Sequence, residues 1–398
     1  MNKTLLAIAV GAVFAVPGAA FADVKVYGKF NIGLDSQKDE LGISSSNGTA
    51  ASSSSIAAKA AENTWSVHDQ NNSSRLGFKG DQDLGVADLK AIFQLEYGVN
   101  PFGSETVGGG STAQSTFTQR NIFLGLQGAF GTVKAGRFDT PVKLAGEKVD
   151  QFNDESIGDD TNLFVGETRV NNIIQYSTPK FFNVLTVNAA IVPGQGRTAV
   201  DDTNDVEKGL VDTYYASIVA ESERWFATLS YAGNEVAGLK IDGRVSDKVP
   251  TPIATQTSTT AVDIIRVAGG FKPITDLELG ALFQQAKGID QDGSATAATA
   301  SELKETSYLA SVAYSISAFK IKAEYGQTKA DYNDIKRSIL AFGVDYKLNK
   351  AFTTQLYYIG YKDSDRTISL ATGGTGTTPK VISDPESTAI GLGVVYNF

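Results

Sequence analysis

Segments of roughly ten residues in which apolar and polar positions alternate recur from Val24 to the terminal Phe398. In "LELGALFQQ", Leu277, Leu279, Ala281 and Phe283 share one face, and Glu278, Gly280, Leu282 and Gln284 share the other. In "FKIKAEYGQ", Phe319, Ile321, Ala323 and Tyr325 oppose Lys320, Lys322, Glu324 and Gly326. In "VDIIRVAGGF", Ile265, Val267 and Phe271 oppose Arg266 and Ala268. The chain stops on the same pattern, with Ile390, Leu392, Val394, Tyr396 and Phe398 against Ala389, Gly391, Gly393, Val395 and Asn397. A period of two predicts strands. One face carries full charges while the other is apolar and ends in aromatics, which is the pattern of a barrel with lipid outside and water within.

The alternation places strands at 23–34, 75–80, 89–100, 119–127, 132–139, 169–179, 184–193 and 212–221, then at 225–234, 262–271, 277–287, 305–316, 319–328, 337–347, 351–362 and 387–398. Short turns such as "DQDLG", "GAFG", "KPITD" and "LNK" alternate with long polar stretches at 35–74, 101–118, 140–168, 194–211, 235–261, 288–304, 329–336 and 363–386. Alternation of short turns with long loops, both termini lying on the turn side, predicts an all-β fold: one transmembrane antiparallel β-barrel of about sixteen strands. Closure pairs every strand edge, so no backbone group faces hydrocarbon unpaired. A barrel of that width is too large for side chains to fill and keeps an aqueous channel.

Composition sharpens the picture at three points. Residues 1–22, "MNKTLLAIAVGAVFAVPGAAFA", have an early Lys, an apolar stretch and an A-x-A close, and read as a secretory signal peptide preceding a single domain at 23–398. With no cysteine, an exported fold has no disulfide to lean on, and one His and one Met exclude a histidine-rich metal site. The net charge of −9 becomes −10 once Lys3 leaves with the signal, which argues against nucleic acid as a partner. No cofactor or metal is expected. His68 lies in the first long stretch without a nucleophile elbow, so catalysis is not expected either. "DQDGSATAATASE" (290–302) begins like a calcium loop, but its twelfth position is Ser301, and "GGGS" (108–111) lacks the Lys and helix of a phosphate cradle.

"VKVYGKFNIGLD" (24–35), "SRLGFKGDQDLG" (74–85), "LKAIFQLEYGVNP" (89–101), "RNIFLGLQGAFGTVKAGRFDTP" (120–141) and the closing "VVYNF" resemble the general porins of Gram-negative outer membranes, and the likeness spans essentially the mature chain. The resemblance implies a homotrimer of sixteen-stranded barrels in the outer membrane, beside lipid and lipopolysaccharide, passing small hydrophilic solutes and ions by diffusion. It implies that Phe398 is read by the barrel-assembly machinery. It also implies a third external loop, about 140–168, folded inward to narrow the pore.

That segment holds Glu147, Asp150, Asp154 and Glu155 as the acidic side of a constriction. The family's basic wall falls on Lys29, Arg75, Arg120 and Arg169, with Arg137 a further candidate. Opposed carboxylates and cations set up a transverse field that favours polar solutes. Asp159 and Asp160 fit either a solvated face or the same acidic edge. The enteric Pro-Glu-Phe-Gly-Gly-Asp run reads "DQFNDE" (150–155) here, keeping Phe152 but placing Gln151 at the Glu position. Two other readings stay open at this stage: a substrate-specific channel, and an adhesin or phage-receptor barrel working through its loops.

Overall fold

The computed structural model describes residues 23–41, 63–102, 116–194, 209–237, 239–240, 261–289, 303–331, 334–370 and 380–398. The expected signal peptide, the Ser/Ala-rich stretch 44–63 up to residue 62, "GGGS" and all of 290–302 lie outside the described residues.

The strands are β1 (Lys25–Asp39), β2 (Thr64–Asp69), β3 (Arg75–Asp83), β4 (Lys90–Val99), β5 (Phe117–Gly128), β6 (Gly131–Asp139), β7 (Arg169–Ser177), β8 (Leu185–Val192) and β9 (Thr213–Glu221). They continue with β10 (Trp225–Val236), β11 (Ala261–Ile274), β12 (Leu277–Ile289), β13 (Lys304–Ile316), β14 (Phe319–Ala330), β15 (Lys336–Lys347), β16 (Phe352–Ser364) and, after an interval, β19 (Glu386–Asn397). Each pairs antiparallel with its sequence neighbour, and β1 closes the ring on β19 from Lys29↔Asn397 to Asp39↔Ser387. β2 and β3 both pair with β1, end to end, and act as one spanning strand, so the barrel has sixteen. Among the described residues one short α-helix, α1 (Pro141–Gly146), follows β6. β17 (Thr367–Leu370) and β18 (Lys380–Ser383) form a separate two-stranded sheet inside the stretch read from sequence as loop 363–386.

The period of two is realised throughout. Leu279, Phe283, Ile265, Val267, Leu392 and Phe398 are exposed, while Arg266, Gln284, Lys322 and Glu324 are buried. Such a surface is inside-out relative to a water-soluble sheet, and lipid is the solvent that stabilises it. Among the described residues no helix is long and apolar enough to cross a membrane. The crossings are made by strands.

The first long loop begins later and ends earlier than the sequence suggests. β1 runs on to Asp39, and Thr64–Asp69, read as loop, is already paired strand. Asp35 and Gln37 hide that extension because polar positions facing a polar interior look like loop, although the ladder does not need apolar partners on that side. Between β2 and β3 the strand breaks at Gln70–Asn72, where Asn71 and Asn72 take φ of 47° and 49°. Side chains satisfy the break: Ser74 Oγ accepts from Asn31 N at 2.9 Å, and Ser73 Oγ accepts from Asn31 Nδ2 at 2.8 Å.

The terminal residue seals the ring. Phe398 N donates to Gly28 O at 3.1 Å and Gly28 N donates back to Phe398 O at 3.0 Å. Position 28 must be glycine-small, because a Cβ there would lie 2.2 Å from the Phe398 ring. The ring packs beside Phe30 and Tyr396, with centroids 6.2 and 5.9 Å away.

Candidate functional site

Segment 140–168 packs against the strand face opposite the exposed apolar one. Its Val149, Phe152, Ile157, Leu163 and Phe164 form one buried cluster with strand residues that include Leu309, Ile339 and Ile359. Val142 and Val165 join a second cluster, with Phe138, Ile173 and Ile264. Burying irregular backbone requires partners for its carbonyls, and strand side chains supply them. Thr228 Oγ1 donates to Ala145 O at 3.1 Å, Ser311 Oγ to Val149 O at 2.5 Å, and Thr328 Oγ1 to Leu163 O at 2.7 Å.

Arg266 of β11 ties the two ends of the segment together. Fully buried, it donates to Gln284 Oε1 at 2.7 Å, to Val142 O at 3.0 Å and to Val165 O at 3.2 Å, and it pairs with Glu167. A guanidinium can do this because its five donors fan out in a fixed plane. The helix start is locally encoded: Thr140 Oγ1 caps Lys143 N at 3.2 Å and Pro141 occupies the first turn. Gly146 ends the helix where a Cβ would sit 2.8 Å from Arg266 Nη1.

This anchoring brings Asp154 to the barrel's basic side chains. Lys29 Nζ lies 2.7 Å and Arg75 Nη2 3.6 Å from Asp154 Oδ2. Lys29 and Arg75 are register partners on β1 and β3. Asn31 Nδ2 donates to the Asp154 carbonyl at 2.5 Å, and Asp154 itself has φ of 61°, a conformation aspartate tolerates. Burial would raise the Asp154 carboxyl, but Lys29, Arg75 and Arg120 overcome it and hold the group below the usual carboxylate range. Arg120 pairs with Glu96 at 2.9 Å, and Arg169 with Asp139 at 2.9 Å. Lys143 joins Asp139 at 3.4 Å. Glu147 is exposed, with Asp139, Lys143, Asp154 and Arg75 as its charged neighbours.

The remaining candidates sit elsewhere. Glu155 is buried against Lys322, which also reaches Asp345 at 3.1 Å and lies 4.7 Å from the centre of the Phe152 ring. Asp150 lies with Asp159 and Asp160 instead, and all three are buried rather than solvated. Arg137 lies on the exposed side with Val133 and Ala135, donating to Asn171 Oδ1 at 2.7 Å, at the register irregularity between Gly136 and Phe138. Ser66 Oγ is 3.2 Å from His68 Nδ1, and His68 Nε2 is 3.6 Å from Asp35. Those residues belong to paired strands, and Asp35 also accepts from Ser156 at 2.6 Å and Tyr357 at 3.0 Å.

Glu96, Asp139, Lys143 and Arg266 were not among the residues picked from sequence. Glu96 and Arg266 had a usable signal, a full charge on the polar parity of an alternating segment. Asp139 and Lys143 flank the helix start and carry no comparable mark.

A family model described as Gram-negative porin matches residues 6–369. The chain belongs to the Gram-negative porin family. This porin is 27% identical over 242 residues to the major outer membrane protein P.IA of Neisseria meningitidis serogroup C, covering 60% of this chain and 59% of that one. It is 25% identical over 386 residues to the P.IB protein of Neisseria lactamica, covering 93% and 97%. Several meningococcal relatives are thus matched over only about 60% of their own length. Among solved structures, the porin resembles the anion-selective porin from Comamonas acidovorans with a TM-score of 0.66 at 18% identity, over 95% of this chain and all (100%) of that one. It resembles Salmonella typhi OmpF in complex with daunomycin at 0.58 and 15% identity, over 94% and 97%. These likenesses are of fold. Family and barrel together place the porin in the outer membrane.

Proposed function

We propose that this porin is a general diffusion channel, a water-filled passage through which small hydrophilic solutes and ions cross the outer membrane down their gradients. The reading takes residues 23–398 as one barrel domain after a cleaved signal, with segment 140–168 folded into the lumen as the constriction. The observation that carries it is Asp154, held on that segment opposite Lys29, Arg75 and Arg120. Water between such a carboxylate and such a wall is oriented across the path. A polar solute can align in that field, whereas an apolar one must displace the oriented water.

Supporting it, the large aromatics Tyr308, Tyr325, Phe342 and Tyr358 lie on the exposed face, and the inward Tyr215, Tyr357 and Tyr361 are buried in clusters with segment 140–168 instead of lining an open aromatic ladder of the kind a sugar-specific channel would use. Enzymatic turnover is disfavoured because Ser66 and His68 share one face of a regular paired strand, where a nucleophile needs a sharp exposed turn. The assembly is taken as a homotrimer, with the short turns periplasmic and the long loops outside. Phe398 serves as the mark by which the assembly machinery recognises the chain.

Single-channel recording of the refolded mature protein in a planar bilayer tests the reading. Stepwise conductance that closes in threes and grows linearly with salt is expected. Saturable block by one solute would favour a specific channel, and a folded barrel without conductance would overturn the proposal.

A further inference from the structure

On the turn side of segment 140–168 the inward strand face holds a chamber of about 570 Å³, lined by Lys148, Lys272, Lys320, Lys322 and Glu278. Glycines make the room. Gly270 of β11 and Gly280 of β12 are register partners in its wall, and a Cβ on Gly270 would lie 2.2 Å from the Phe226 ring.

The charges around it do not cancel. Glu278 is shared by two lysines, Lys272 at 2.6 Å and Lys320 at 3.4 Å. Glu221 of β9 is likewise shared by Lys148 and by Lys180, the latter at 3.4 Å. Each carboxylate neutralises one lysine and leaves one charge over. Lys322 meets two carboxylates, Glu155 and Asp345, and the turn residues Glu223 and Arg224 bring one charge of each sign. Asp150 also borders the chamber, but burial and its neighbour Glu324 raise its carboxyl well above the usual range, so it offsets little of the surplus. Further round the turn-side half of the barrel, lysines stand without acids. Lys79 of β3 lies 4.9 Å from the centre of the Tyr27 ring and Lys134 of β6 3.9 Å from that of Phe138. Among the described residues neither makes an ion pair, and a ring face attracts an ammonium without cancelling its charge.

We propose that this chamber is a subsite for small dianionic solutes, those carrying a phosphate or two carboxylates, which it gathers at the turn-side mouth. The lysines left over by Glu278 and Glu221 supply two positive points together, which a dianion answers in full and a monoanion only in half. A recess lined by an excess of one sign concentrates ions of the other. Lys148, Lys272 and Lys320 are part-exposed, so water and salt weaken the hold and the solute is released again. The proposal rests on the diffusion reading and names a solute class for it.

Titration of inorganic phosphate, held above its second ionisation, into the folded porin in a phosphorus-free detergent tests it through the phosphorus line width. Saturable broadening is expected at low salt, reversed by succinate at lower concentration than by acetate. Lys320→Gln keeps the Lys272–Glu278 pair and removes only a surplus charge, so it should fold and weaken phosphate binding about 3–5-fold. Glu278→Gln frees a second lysine and should strengthen binding by a similar factor, a change of sign that a merely structural role would not produce. No broadening in the wild type, or equal affinity in the wild type and both variants, would overturn the proposal. Loss of binding in Arg75→Gln with Lys320→Gln unaffected would do the same, because the anion would then be held beside Asp154. None of this needs conductance, so its failure leaves the channel reading standing, and a silent barrel would leave the phosphate result intact.

Discussion

Replacing Asp154 by Asn removes one negative charge from the proposed constriction while keeping the side chain's size. Its oxygen now lies 2.7 Å from Lys29 and 3.6 Å from Arg75, and those cations would remain. Coulomb's law in water gives roughly 0.8 kcal/mol between one unit charge and an ion passing about 5 Å away. Screening at physiological salt, with a Debye length of about 8 Å, reduces this to about 0.4 kcal/mol. That energy favours anions about two-fold and disfavours cations about two-fold, so the anion-to-cation permeability ratio should rise about four-fold. Near 1 M salt, where the Debye length is about 3 Å, the change should fall below about two-fold. The assay is the reversal potential of single channels under a salt gradient, with Asp154→Glu as the charge-conserving control. The segment should stay docked, because the Asn31 bond is to the Asp154 carbonyl and survives. An unchanged reversal potential at low salt, or a shift toward cations, in a variant of normal fold and conductance would refute the placement of Asp154 in the path.

Arg266→Ala strips buried donors from Val142 O, Val165 O, Gln284 and Glu167 and should weaken docking of segment 140–168 by about 3–5 kcal/mol. Limited proteolysis of the folded barrel should then cut that segment while the strands stay resistant, and wild-type resistance in the variant would contradict its anchoring role. Phe152→Ala empties a fully buried position at a cost of about 3–5 kcal/mol and should add open-channel noise without lowering the yield of folded barrel. Quiet wild-type records would show that the ring does not hold the segment. Phe398→Ala keeps both backbone bonds to Gly28, so purified barrels should melt normally. Their assembled fraction in the outer membrane should nevertheless drop sharply if the ring is the recognition mark, and normal assembly would reduce Phe398 to an interfacial anchor.

Strands were legible because lipid on one side and polar groups on the other impose a strict period of two, and this holds as clearly at Leu277–Gln284 as at Ala389–Phe398. Where the alternation faltered, so did the reading. Asp35 and Gln37 are strand residues in a stretch that looks like loop, whereas Arg137 keeps the parity of Val133 and Ala135, which puts it on the exposed side. The charge pairs were harder. Lys29, Arg75 and Arg120 meet Asp154 because Arg266 and three strand hydroxyls bend segment 140–168 into one path, and no spacing within 140–168 records that. The same bend sends Asp150 and Glu155 to other partners, although they stand on either side of Asp154 in sequence.

The ring closes between β1 and β19, residues some of which stand at opposite ends of the chain, such as Lys29 and Asn397. Lys29 is therefore a seam residue as well as the nearest cation to Asp154. Contacts of such long sequence separation form late and cooperatively. A barrel stalled before its last strand docks would keep Lys29 in register beside Arg75 through β3, but would leave the other edge of β1 unpaired. The cation pair would thus be laid down by neighbouring strands early, and only the meeting of the first and last strands would close a path around it.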